Sequence, residues 1–119
     1  MLRSAAAMRP SPFLPRLHLF ICSNRRPEDS PLGPGCGAAG DVVFDALKAE
    51  VAARRCFGEV WVTRTECMGL CPREGTTMAA YGLRGAASGG AIFTEVVPED
   101  ARSLLEREIS ALGPGELTR

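Results

Sequence analysis

The chain reads as an α/β domain, a β-α-β unit followed by a β-hairpin and a C-terminal helix. Three observations point there. The short runs "RLHLFIC" (16–22) and "EVWVTRT" (59–65), apolar or β-branched, flank a helical stretch at 41–55. Two further strand candidates, "TTMAAYG" (76–82) and "AIFTEVV" (91–97), are joined by the glycine-rich "LRGAASGG". A last amphipathic stretch, "PEDARSLLEREISALG" (98–113), opens on proline and acids. With 119 residues there is room for one core.

Taken in order, residues 1–15 read as a flexible leader. They carry Arg3 and Arg9 and no acid, a composition shared with organellar transit peptides, but Pro10, Pro12 and Pro15 would break an amphipathic helix. The domain proper spans 16–113, and 114–119 form a tail without structural signal. The first strand ends at Cys22. Residues 23–40, with three prolines and four glycines, form a long loop that contains Cys36. In the helix that follows, Asp41 is placed to cap, Val43, Leu47 and Val51 share one face with Phe44 beside them, and Gly58 marks the stop. Strand, helix and strand in this order call for parallel strands with a right-handed crossover. In the last helix Leu104, Leu105 and Ile109 form the apolar face.

Composition narrows the function. Fourteen basic residues balance fourteen acidic ones, so no net field favours nucleic acid. No apolar run reaches the roughly 20 residues of a membrane span. We expect a cytoplasmic protein, where a reducing poise disfavours structural disulfides. Glu95, Glu99, Asp100, Glu106 and Glu108 make the C-terminal third locally acidic, a candidate face for a basic redox partner and, more simply, a solvated helix face.

Five residues are cysteine. Cys22 ends the first strand and Cys67 closely follows the second. In a βαβ unit these positions share the carboxyl edge of the sheet, where α/β folds build their sites. Cys36 belongs to the loop leaving the first strand and Cys71 to the loop leaving the second, so two loops bring four thiolates together. Cys56, at the far end of the helix, stands apart. Four soft sulfurs suit zinc or an iron–sulfur cluster. The pairs C-x13-C and C-x3-C are wider than the usual zinc C-x2-C, which favours the larger cluster while leaving a structural zinc-binding module of four cysteines open. A thiol–disulfide oxidoreductase prefers C-x-x-C and leaves two cysteines unexplained. Gly69 permits a tight turn between Cys67 and Cys71, exposing backbone N–H groups to the sulfurs. Pro31, Gly33, Pro34, Gly35 and Gly37 shape the loop around Cys36. A Rieske centre needs two histidines, and His18 is the only one; it reads as a packed or surface imidazole.

"HLFICSNRR…GCGAAGDVVFDALKAEV" followed by "VWVTRTECMGLCPREG" resembles the thioredoxin-like [2Fe-2S] ferredoxins, whose fold recurs in the small iron–sulfur subunit of respiratory NADH dehydrogenase. The likeness runs from about residue 17 to 112, closing on "GGAIFTEVVPEDARSLLEREI". It implies that Cys22, Cys36, Cys67 and Cys71 ligate a [2Fe-2S] cluster and that Cys56 does not. It further implies a one-electron carrier rather than an enzyme, with a reductase or acceptor oxidoreductase as partner. Two departures, "PREGTTMAAYG" in place of a Gly-Pro and a β-branched strand, and a hairpin segment poor in aromatics, touch the region where related members form a homodimer contact.

Overall fold

The computed structural model describes residues 8–26, 29–31, 35–69, 72, 74–82 and 90–110. The expected tail at 114–119, the start of the expected leader and most of the glycine-rich hairpin connection lie outside the described residues. The elements are β1 (Leu17–Cys22), α1 (Gly37–Arg54), β2 (Val60–Thr65), β3 (Thr76–Gly82), β4 (Gly90–Val96) and α2 (Pro98–Ser110). The strands form one sheet in the order β2-β1-β3-β4. β1 and β2 are parallel, in register from Leu17 opposite Val60 to Cys22 opposite Thr65. β1 pairs antiparallel with β3, and β3 with β4. The expected α/β architecture is met, and β1 sits centrally because it pairs on both sides.

Alternation along β1 sorts the sheet faces. Leu17, Leu19 and Ile21 are fully buried. They join Val60, Val62, Met78 and Ala80 beneath Val43, Leu47 and Val51 of α1 and Ala101, Leu104 and Leu105 of α2. Each large aliphatic side chain so buried is worth about 1.5–3 kcal/mol, and both helices therefore lie on this face. The other face carries aromatics: His18 stacks on Phe20 at 4.0 Å between ring centroids and meets Trp61 edge-on at 5.5 Å, while Tyr81 meets Phe20 at 5.8 Å. The His18 imidazole Nε2 lies 2.7 Å from Thr63 Oγ1, and burial lowers its pKa from the ordinary 6.5. His18 is thus a packed residue of the sheet.

Three details differ from the sequence reading. α1 begins at Gly37, four residues before Asp41, and Cys36 occupies the N-cap position. Asp41 instead pairs with Arg25, and lies 3.8 Å from Arg64. The helix also stops at Arg54 rather than at Gly58, because Arg55 turns left-handed (φ 54°, ψ 40°), its N–H reaching the Ala52 carbonyl and that of Cys56 the Val51 carbonyl. A non-glycine residue takes the conformation usually given to glycine. β4 carries one extra residue against β3, since Thr76 faces Val96 but Met78 faces Phe93, and Glu95 absorbs it with φ 57°. At the far ends of the helices Arg54 ion-pairs with both Glu50 and Glu106, tying α1 to α2. No described helix is long and apolar enough to cross a membrane.

Candidate functional site

Parallel pairing of β1 and β2 determines where the cysteines emerge. Cys22 is the last residue of β1, opposite Thr65 at the end of β2, and the Ser23 N–H donates to the Thr65 carbonyl at 3.1 Å. Cys67 follows two residues later. The chain leaving β1 returns to start α1 beside its own departure point: the Gly37 N–H donates to the Asn24 carbonyl at 3.0 Å, and Cys36 immediately precedes it. Cys22 and Cys36 are 1% and 3% exposed, whereas Cys67 stands at the surface.

The close return depends on Gly40. A Cβ there would lie 1.9 Å from the Cys22 carbonyl oxygen and 2.9 Å from Ser23 Cα. Only a hydrogen lets the first turn of α1 lie against the end of β1. The Cys22 carbonyl also accepts from Thr76 Oγ1 at 2.6 Å, so the buried hydroxyl of β3 anchors this corner from the other side.

Three of the four expected ligands, Cys22, Cys36 and Cys67, therefore lie at one edge of the sheet. Burial pushes the Cys22 thiol upward in pKa; the Asn24 backbone N–H opposes this, while a side-chain hydrogen bond with Cys36 and the nearness of Cys36 and Cys67 add to it. Neighbouring thiols suit a soft metal, because a bound cation offsets the repulsion between deprotonated sulfurs. Two donors among the described residues reach Cys67. The Gly69 N–H reaches its Sγ at 3.3 Å, from a left-handed backbone with φ 93°. This is the amide-to-sulfur contact expected at Gly69. The second donor is the Arg26 guanidinium, Nη2 to Sγ 3.5 Å, which crosses from the β1–α1 loop to the β2 loop.

Cys71, the fourth expected ligand, lies outside the described residues, as do Gly33 and Pro34 of the Cys36 loop. Among the described residues no group of three or more His, Cys, Asp or Glu side chains is gathered around a single ion position. Cys22, Cys36, Cys56 and Cys67 are all free thiols. Cys56 is in the core, its Sγ 3.9 Å from the Val51 carbonyl and its thiol raised in pKa by burial. The 18 residues of α1 separate it from Cys36, roughly 27 Å at 1.5 Å per residue.

Arg26, Gly40 and Thr76 are absent from the candidates that the sequence marks for this site, though each touches it or sets its shape. The paired arginines of "NRRP", four residues after a cysteine, are the one local signal of a charged group near the sulfurs. The rim also holds Arg64, 3.5 Å from Asp45 and 4.3 Å from the Phe44 ring. On the far side, Glu108 of the acidic C-terminal third is buried, while Glu95, Glu99, Asp100 and Glu106 are exposed, the last paired with Arg54.

No family model and no curated protein matches the chain. Solved structures do. The wild-type thioredoxin-like [2Fe-2S] ferredoxin from Aquifex aeolicus is similar with a TM-score of 0.63 and 25% identity, over 87% of this chain and 94% of that one. A second structure of such a ferredoxin from the same organism gives 0.63 and 26%, over 87% and 88%. A cysteine-to-serine variant gives 0.62 and 25%, over 84% and 93%. The resemblance read from the sequence is met in three dimensions: over most of its length the chain has the fold of the thioredoxin-like [2Fe-2S] ferredoxins.

Proposed function

We propose that this chain is a [2Fe-2S] protein acting as a one-electron carrier, with Cys22, Cys36, Cys67 and Cys71 as the cluster ligands. The observation that carries the reading is the placement of Cys22, Cys36 and Cys67 at the carboxyl edge of β1 and β2, in a fold similar to ferredoxins of that name. When bound, the cluster supplies a one-electron couple.

The chain's own residues do the rest. Gly40 and Thr76 fix the Cys22 corner and hold the start of α1, with Cys36, close to the end of β1. The Asn24 and Gly69 amides donate to Cys22 and Cys67, stabilising negative charge on sulfur. Burial of Cys22 and Cys36 excludes water, while exposure of Cys67 leaves one side open to a partner. Such a protein is not an enzyme by itself. It works between a reductase and an acceptor oxidoreductase, in a reducing compartment such as the cytoplasm.

Single substitutions test the ligand set. Cys22→Ser and Cys67→Ser are expected to lose most bound iron and sulfide on anaerobic purification, and Cys56→Ser to retain both. Loss of iron in Cys56→Ser overturns the assignment. A wild-type chain without iron or sulfide, whose thiol chemistry survives Cys22→Ser and is lost in Cys67 and Cys71 variants, replaces the cluster by a dithiol site.

A further inference from the structure

We infer that Arg26 is a positioning residue that sets the reduction potential of the site by direct donation to Cys67, an inference that rests on the cluster reading above. Arg26 lies in the first cysteine loop, four residues after Cys22. Its guanidinium reaches the Sγ of Cys67, in the second loop, at 3.5 Å. The two loops supply different cysteines, so this side chain links the halves of the ligand set.

The neighbouring arginines are engaged differently. Arg25 is ion-paired with Asp41, and Arg64 faces Asp41 and Asp45 at 3.8 and 3.5 Å. Their positive charge is directed at carboxylates of α1. Arg26 directs a guanidinium N–H at a sulfur, and a charged donor forms a hydrogen bond about twice as strong as a neutral one. The neutral Gly69 amide donates to the same atom at 3.3 Å. Cys67 thus carries a charged and a neutral donor, whereas among the influences on Cys22 the hydrogen-bond donor that favours its thiolate is the neutral Asn24 amide.

The sign follows from the charge change. Reduction adds one electron and increases negative charge on the ligand sulfurs. A cationic donor stabilises the reduced form more than the oxidised one, and so raises the potential. Removing it lowers the potential. Arginine also matters by shape, because its planar fork is held in one direction while a lysine ammonium is a mobile point charge.

The test is the midpoint potential of the full chain, purified anaerobically, by spectroelectrochemical titration of the visible bands. Arg26→Gln is expected to shift the one-electron equilibrium about tenfold toward the oxidised form, about 59 mV more negative. Arg26→Lys is expected to fall between the two. Arg25→Gln and Arg64→Gln remove the same formal charge without a sulfur contact, and are expected to shift the equilibrium less than twofold. The proposal is overturned if Arg26→Gln binds a full cluster with an unchanged potential, or if Arg25→Gln shifts it as much. If Arg26→Gln takes up no cluster, Arg26→Lys decides: a potential equal to wild type overturns the directional contact, and an intermediate fall supports it. A wild-type chain that binds zinc without sulfide removes the cluster reading itself, before any variant is compared.

Discussion

Gly40→Ala puts the geometry of the site against a simple competing force. Alanine is the better helix former by about 1 kcal/mol, so propensity alone makes the variant more stable. The structure predicts the opposite. The new Cβ would meet the Cys22 oxygen at 1.9 Å, the Cys22 carbonyl carbon at 2.8 Å and Ser23 Cα at 2.9 Å. Relief to an ordinary contact near 3.4 Å requires the first turn of α1 to retreat by roughly 1.5 Å, an overpacking strain of about 1–3 kcal/mol. The obstacles are backbone atoms that cannot rotate away, which places the strain at the upper end. After the propensity gain, the net loss is about 2 kcal/mol, or roughly 10 °C in Tm for a domain of this size. Because Cys36 sits at the start of the same helix, its sulfur moves away from Cys22, and metal content falls as well. Gly37→Ala is the control: its Cβ meets the Arg25 side chain, which is 64% exposed and able to swing, and stability should stay within about 1 kcal/mol of wild type. Urea melts of the metal-free proteins give the stabilities, and iron analysis gives the loading. A Gly40→Ala variant as stable as wild type, or more so, refutes the close approach of helix and strand.

Two more predictions concern the scaffold. Arg55→Gly relieves a side chain held left-handed at the end of α1, a strain of roughly 1–2 kcal/mol that glycine's extra unfolded-state freedom partly offsets; the expected gain is about 0.5–1 kcal/mol in a urea melt, and a loss would contradict the cap geometry. His18 has a folded pKa below its ordinary 6.5, so between those values the unfolded chain binds more protons. Stability contributed by the neutral imidazole is therefore full above pH 6.5 and declines as pH falls through the folded value. His18→Gln should flatten that part of the stability–pH curve, and an unchanged slope would show that other groups produce it.

Much of the fold was legible because each strand's own side chains declare it. The fully buried Leu17, Leu19 and Ile21 alternate with His18 and Phe20, and the apolar face of α2 is present in Leu104 and Leu105. The start of α1 was not, because "GAAG" has no large side chain to mark a helical face, and its Gly40 answers to a tertiary demand, contact with the end of β1. The left-handed Arg55 was equally hidden, since the local rule looks for glycine, and the chain satisfied the last carbonyls with arginine instead.

At the site, parallel pairing made the common edge of Cys22 and Cys67 predictable from element order alone. Cys36 follows from the loop that must return to the helix. Arg26 does not, because its contact with Cys67 spans 41 residues and depends on a long side chain crossing between loops. Thr76 is a similar case, donating to Cys22 across 54 residues from another strand. Local patterns record what a residue does for its own element. They are silent about contacts between loops that meet only after the sheet has formed.

The most direct test of the central claim is a visible absorption spectrum with iron, acid-labile sulfide and zinc determination on the full chain purified without air and reconstituted if colourless. A [2Fe-2S] centre predicts a red-brown protein with about two irons and two sulfides per chain and no stoichiometric zinc. One zinc per chain with no sulfide, or a protein that takes up neither iron nor sulfide on reconstitution, would contradict it.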